Sequence, residues 1–192
     1  MRPGRRAIAL LLVASALTLC CDVARADANV PLQLQAQLVS KLGAFDRNFA
    51  ARAGSLSRVL VLYKAGDADS TRVATNVASA LGALRDVGSV AAQIELEAFP
   101  GAAPLADRCR SKKVTVVYFS TGLEGDMDAI GKALAGVDIL TVGASASFAD
   151  RGVVVAFDLE EGRPKIVVHL ARARAQNVAF KAELLKLARI VG

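Results

Sequence analysis

The chain holds few side chains able to do covalent chemistry, and their spacing suits it poorly. His169 is the only histidine. A Ser-His-Asp triad needs that imidazole between a nucleophile and an orienting carboxylate, and no serine here stands in a nucleophile signature. His169 ends an apolar run beside Leu170 and reads as a strand-end histidine. Zinc takes three or four N, S or O ligands, which His169 and Cys109 do not supply. Glu124, Asp126 and Asp128 alternate as in a calcium loop, but the later ligand positions hold Ile130, Gly131 and Ala135, not carboxylates. These acids suit a helix start, where negative charge meets the dipole. With no glycine-rich phosphate fingerprint either, the expectation is no catalytic residue, no metal and no cofactor.

What remains is binding chemistry. Gly66, Thr121, Gly122 and Ser145 follow three apolar runs that read as parallel strands. Ligands of open α/β sheets bind beyond the carboxyl ends of strands, and short polar loops facing helix N-termini suit a small anion. These four are the candidate ligand-binding residues, with plain tight turns as the alternative. A second constellation is Phe45-Asp46-Arg47-Asn48-Phe49. Arg47 offers a planar fork to Asp46 or to a partner's carboxylate, and aromatic and Arg side chains are common interface anchors. Phe45, Arg47 and Asn48 are thus candidate partner-binding residues, against an ordinary helix-end charge cluster.

The elements that must position these residues follow from periodicity. Leu34, Leu38, Leu42, Phe45 and Phe49 recur at three- and four-residue spacing, which predicts one helix ending at Gly54-Ser55. Val59–Tyr63 is a continuous apolar run suited to a central strand covered on both faces. Val73, Val77, Leu81 and Leu84 mark a second helix, with Asp67, Asp69 or Ser70 as N-cap. Val90 to Phe99 reads as an edge strand, 102–110 as a short helix, and Val114–Phe119 as a second strong strand. Ile130 and Leu134 mark another short helix. Ile139–Val142, Val153–Phe157 and Ile166–Val168 are short, β-branched and bounded by turn residues. Glu160-Glu161-Gly162-Arg163-Pro164 turns the last two into a hairpin at the sheet edge. Phe180, Leu184, Leu187 and Val191 predict a C-terminal helix. The order α-β-α-β-α-β-α-β-β-β-α implies an α/β fold: a single three-layer domain, its mostly parallel sheet flanked by helices, with a C-terminal antiparallel hairpin edge.

The N-terminus carries a different message. Arg2, Arg5 and Arg6 precede the apolar run 7–21, and Ala24-Arg25-Ala26 is an A-x-A cleavage site. This predicts a signal peptide over 1–26, removed after Ala26, and a periplasmic domain over 27–192. A lipoprotein signal is the rival, since Cys20 and Cys21 follow the run, but Leu19 stands where lipid attachment wants a small residue. Cleavage removes four arginines and Asp22, taking the net charge from +6 to +3. With few aromatics that is a poor nucleic-acid footprint, and no later apolar run reaches membrane-spanning length. Cys109 alone remains of three cysteines, so no internal disulfide forms; it is a buried small hydrophobe or an intermolecular or reactive thiol.

Taken together, several stretches resemble the YfiR family of exported bacterial proteins: Asp138–Val142, Phe148-Ala149-Asp150-Arg151-Gly152, Gly162-Arg163-Pro164 and Leu184–Val191. The segments Phe45–Phe49 and Arg52-Ala53-Gly54 are similar to one branch of it. The resemblance implies a periplasmic α/β domain without catalytic residues. The family's best-known member restrains an inner-membrane diguanylate cyclase, and so cyclic-di-GMP signalling, by binding that enzyme's periplasmic part, usually as a homodimer. Here the family's cysteine pairs are missing, so disulfide-based control does not carry over. The expected function is a non-enzymatic periplasmic regulator that binds a membrane signalling partner. The alternative is a periplasmic small-molecule-binding module using the strand-end loops.

Overall fold

The computed structural model describes residues 29–192; the expected signal peptide, its cleavage site and Cys20 and Cys21 lie outside the described residues. One eight-stranded sheet runs in the order β2-β3-β1-β4-β5-β6-β7-β8. Its strands are β1 (Ser57–Tyr63), β2 (Asp86–Val87), β3 (Val90–Ala98), β4 (Val116–Phe119), β5 (Leu140–Gly143), β6 (Val155–Glu160), β7 (Arg163–His169) and β8 (Arg189–Val191). β3, β1, β4, β5 and β6 pair in parallel, and β6–β7 is the antiparallel hairpin. The helices are α1 (Leu32–Phe45), α2 (Phe49–Ala53), α3 (Ala68–Leu84), α4 (Ala102–Lys112), α5 (Met127–Ala133), α6 (Leu170–Ala175) and α7 (Ala182–Leu187).

The central strands are apolar throughout because successive side chains enter two different cores. Val59 and Val61 of β1 join Val116, Tyr118, Leu140 and Val142 beneath α1 and α3. Leu60 and Leu62 point the other way, to Val117, Phe119 and the α4 and α5 side chains Leu105, Cys109, Met127 and Ile130. Burying each large aliphatic side chain contributes roughly 1.5–3 kcal/mol. The α1 core contains one polar tie. The Tyr118 hydroxyl donates to Gln35 Oε1 at 2.6 Å, and Gln35 Nε2 donates to the carbonyls of Val30 at 2.8 Å and Ala144 at 3.3 Å. Burial pushes the Tyr118 phenol well above its ordinary range, so it stays a donor. α1 is thereby fixed in register over the sheet. Its Gly43 meets the β2–β3 turn so closely that an added Cβ would lie 2.9 Å from Gly88 Cα.

Four features differ from the sequence-based expectation. The first helix is two, because Asp46 leaves helical geometry with ψ 117° and α2 restarts at Phe49. α6 lies where no helix was expected; it follows β7 directly, capped by His169 Nδ1, which accepts from Arg172 N at 3.3 Å. The C-terminal helix stops at Leu187, and Arg189–Val191 instead forms β8, parallel to β7 and outside the hairpin. Arg189 secures it with salt bridges to Asp158 at 2.6 Å and Glu160 at 3.4 Å. At the opposite side β2 pairs with only Val90 and Ala91, so β3 keeps an open outer edge over most of its length.

Leu60 is 1% exposed and sits in the middle of β1, between β3 and β4. Leu60→Asp should remove more than about 4 kcal/mol, since an unpaired carboxylate enters the apolar core beneath α4 and α5. That is a large part of the 5–15 kcal/mol typical of a domain. Circular dichroism should show no cooperative melt; a melt near that of the wild type would mean that Leu60 does not face the core.

Candidate functional site

The corner between α1 and α2 is built from charge. Asp46 ends α1 with its carboxylate turned inward. Asp46 Oδ1 accepts from the backbone N–H of Asn48 at 3.1 Å and of Ala179 at 2.9 Å, and Oδ2 receives Arg52 Nη1 at 2.8 Å. The Arg52 fork is shared three ways: Nε donates to Asp138 at 2.6 Å and Nη2 to the Asn177 carbonyl at 2.9 Å. The side chains of Asp46 and Arg52 are 0% and 4% exposed, so this is a buried ion pair with most of its hydrogen-bonding capacity engaged. It fastens the corner to 177–181, where Arg47 N donates to Ala179 O and Lys181 N to Phe45 O.

The expected partner-binding residues separate here. Asn48 is turned onto its own chain, its Nδ2 donating to the Asn177 carbonyl at 2.9 Å and side chain at 3.1 Å. Phe45 is half-buried against the α1 core, and Phe49, 1% exposed, is inside it. Arg47 is exposed and forms no salt bridge among the described residues; the carboxylate beside it in sequence, Asp46, is taken by Arg52. Arg52 entered the sequence reading only as part of the Arg52-Ala53-Gly54 stretch, not as a site residue. Neither its six-residue separation from Asp46 nor Asp138 and Asn177, far along the chain, signalled the network.

The strand-end loops carry acids of their own. Asp67 caps α3, accepting from Ser70 N at 2.9 Å. Gly122 follows β4 with φ 84°, and an added Cβ there would lie 2.7 Å from the Asp67 carboxylate. Gly122 N donates to Glu124 at 3.2 Å, Thr121 Oγ1 to Asp69 at 3.4 Å, and Ser70 and Ser120 share a hydrogen bond at 2.7 Å. Ser145 pairs with Ser147 at 3.1 Å, while Gly66 is an exposed turn with φ 80°. β1 and β4 bring Thr121 and Gly122 beside the α3 start, but the Ser70 and Gly122 N–H groups there already meet carboxylates. Grooves of about 520, 440 and 540 Å³ lie elsewhere: between α1 and α3, beside Arg52 and Asp138, and beside Arg58 and Lys112.

The remaining reactive groups are quiet. Cys109 is buried in the α4 core, and burial pushes its thiol up to about 12 against the opposing pull of Arg108 and Arg110. His169 is held below its ordinary value by burial and by the Arg172 cation, which suits a neutral ring accepting at Nδ1. Glu124–Asp126 form a short 3₁₀ turn into α5.

Comparison with known proteins follows this layout. The sequence matches the model of the family described as YfiR/HmsC-like over residues 33–189, and no curated protein matches it. Several solved structures share the fold. The ABC domain in complex with L-Trp from Streptococcus pneumonia is 11% identical with TM-score 0.60, covering 85% of this chain and 62% of its own. A conserved domain protein from Vibrio cholerae is 13% identical with TM-score 0.57, covering 84% and 60%. The ligand-free, open CD0873, a substrate binding protein with adhesive properties from Clostridium difficile, is 10% identical with TM-score 0.54, covering 75% and 57%. The chain thus spans about three-fifths of the length of these structures.

Two outcomes test the corner and the thiol. Arg52→Ala should cost about 3–5 kcal/mol because it strands a buried carboxylate, while Arg47→Ala should stay within about 0.5 kcal/mol; urea melts of both variants measure the contrast. Cys109 should resist alkylation at pH 8 in the folded protein, where burial keeps the thiol protonated, and react once denatured. Equal rates in the two states would place the thiol at the surface.

Proposed function

This chain belongs to the YfiR/HmsC-like family, and from that premise we propose that it is a periplasmic, non-catalytic regulatory protein that docks onto the periplasmic part of a membrane signalling enzyme, a diguanylate cyclase being the first candidate. The family match along nearly the whole described chain carries this reading, because the family is regulatory rather than catalytic. No helix among the described residues is long and apolar enough to cross a membrane, so the proposed contact is peripheral. Arg47 is the anchor best suited to it. It stands exposed on a corner held rigid by Arg52, and a pre-organised fork loses little freedom on meeting a partner carboxylate. Phe45 lends its half-buried edge, and Asn48 holds the corner's shape. A homodimer presenting two such corners is part of the proposal.

The second reading is a small-molecule-binding module, favoured by a fold shared with a domain in complex with L-Trp and with a substrate binding protein. Gly66, Thr121, Gly122 and Ser145 would line its site. Since Asp67, Asp69 and Glu124 already fill that end of the sheet, the ligand would be cationic or neutral rather than the small anion first expected.

Arg47→Glu should lower recovery of the membrane signalling protein from a membrane extract by about fivefold or more, with the melting midpoint within a few degrees of wild type. Equal recovery of the same partner by both proteins would remove Arg47 from the contact.

A further inference from the structure

Charge is segregated between the two ends of this domain. In a parallel sheet the connecting helices run against the strands, so their C-termini gather where the strands begin. Here Ala92 N donates to Arg85 O just past α3, Val114 N to Cys109 O at the end of α4, and Gly136 N to Ala175 O at the end of α6. At this end stand Arg58, Arg85, Lys112, Lys113 and Arg174. All but the half-buried Arg58 are exposed, and none forms a salt bridge among the described residues. The opposite end carries Asp67, Asp69, Glu124, Asp126, Asp128 and Asp150. Lys64, Arg72 and Arg151 stand among these acids and Asp86 and Asp138 among the cations, so each end carries an excess of one sign rather than that sign alone.

The cations do not converge on a pocket. The two grooves at their end are each lined by an acid as well, Asp138 in one and Glu95 in the other, so neither is built for a single anion. Unpaired cations spread over one end of a domain match a plane of phosphodiester headgroups, where each contact adds and no fixed geometry is required. The side chains named at this end include no aromatic on which nucleotide bases would stack.

We propose that this basic end rests on the anionic phospholipid surface of the membrane, turning the acidic end away from it. The proposal rests on the periplasmic reading above, because it needs a membrane beside the protein. It is independent of Arg47, which is left intact throughout the test.

The test is co-sedimentation of the purified protein with vesicles of phosphatidylcholine alone or with about 30 mol% phosphatidylglycerol, at about 50 mM salt. The expected result is binding to the anionic vesicles only, with release at about 0.3 M salt. The double variant Lys112→Gln, Lys113→Gln should lower the partition coefficient about twenty-five-fold, at roughly fivefold for each lysine. Lys64→Gln, at the acidic end, should change it less than about twofold. If the double variant melts early, Arg85→Gln with Arg174→Gln carries the same expectation. No binding to anionic vesicles, equal binding to neutral ones, an equal loss with Lys64→Gln, or capture of single-stranded DNA in preference to vesicles would each overturn it. Vesicle binding that survives alongside a failed partner pull-down sinks the docking reading alone.

Discussion

A guanidinium taken out of water needs its donors filled, and in this protein that requirement holds three separate parts of the chain together. Arg52 reaches Asp46 at the end of α1, Asp138 before β5 and the carbonyl of Asn177 beyond α6. An ammonium group has no planar fork and would not divide itself among these partners in the same way. With the fork in place, α1 must end where it does, α2 must turn toward β1, and 177–181 must lie across the corner. The cost of removing the charges from water is offset only when every partner is present, so the junction forms as a unit.

The two layers of helix have different means of attachment. On the α1 side, Gln35 and Tyr118 add a directional tie to a greasy interface, and the close approach of Gly43 to Gly88 sets its depth. On the α4 and α5 side a large apolar cluster includes Cys109 as one more small hydrophobe, and Thr141 supplies a buried polar link, donating to Gln176 Oε1 at 2.8 Å and accepting from Val154 N at 2.9 Å. In the α1 layer the buried Gln35 and Tyr118 serve register.

The central sheet was legible because its signals are local. Continuous apolar runs from Val59 and Val114 need no knowledge of distant residues to be read as covered strands, and the α3 cap was narrowed to Asp67, Asp69 or Ser70, of which Asp67 is the one used. The misreadings arose where a distant partner overrode a local pattern. The stripe through Phe45 and Phe49 continues in helical phase past Asp46, yet the helix breaks there because Asp46 answers Ala179 and Arg52. Leu187 and Val191 continue a helical stripe too, but Arg189 finds Asp158 and Glu160 across the hairpin and the segment pairs as β8. α6 is short and alternates small with charged residues, leaving little apolar periodicity to detect. Of the two carboxylates that the sequence offered Arg47, Asp46 is taken by Arg52, because nothing along the chain distinguishes the exposed arginine from the buried one.

The open side of β3 has a consequence for how the protein behaves in a crowd. An unpaired strand edge is a template for another chain, and this one also exposes Leu96. Glu95 and Glu97 stand on the same strand, bridged by Arg108 at 2.9 and 2.7 Å, and β2 blocks only the first two residues. Most of the edge is thus guarded by charge rather than by bulk. Such a guard is screened within about a Debye length, so the colloidal stability of the folded protein depends on ionic strength more than its thermodynamic stability, which rests on two apolar cores and a buried ion pair that salt screens much less.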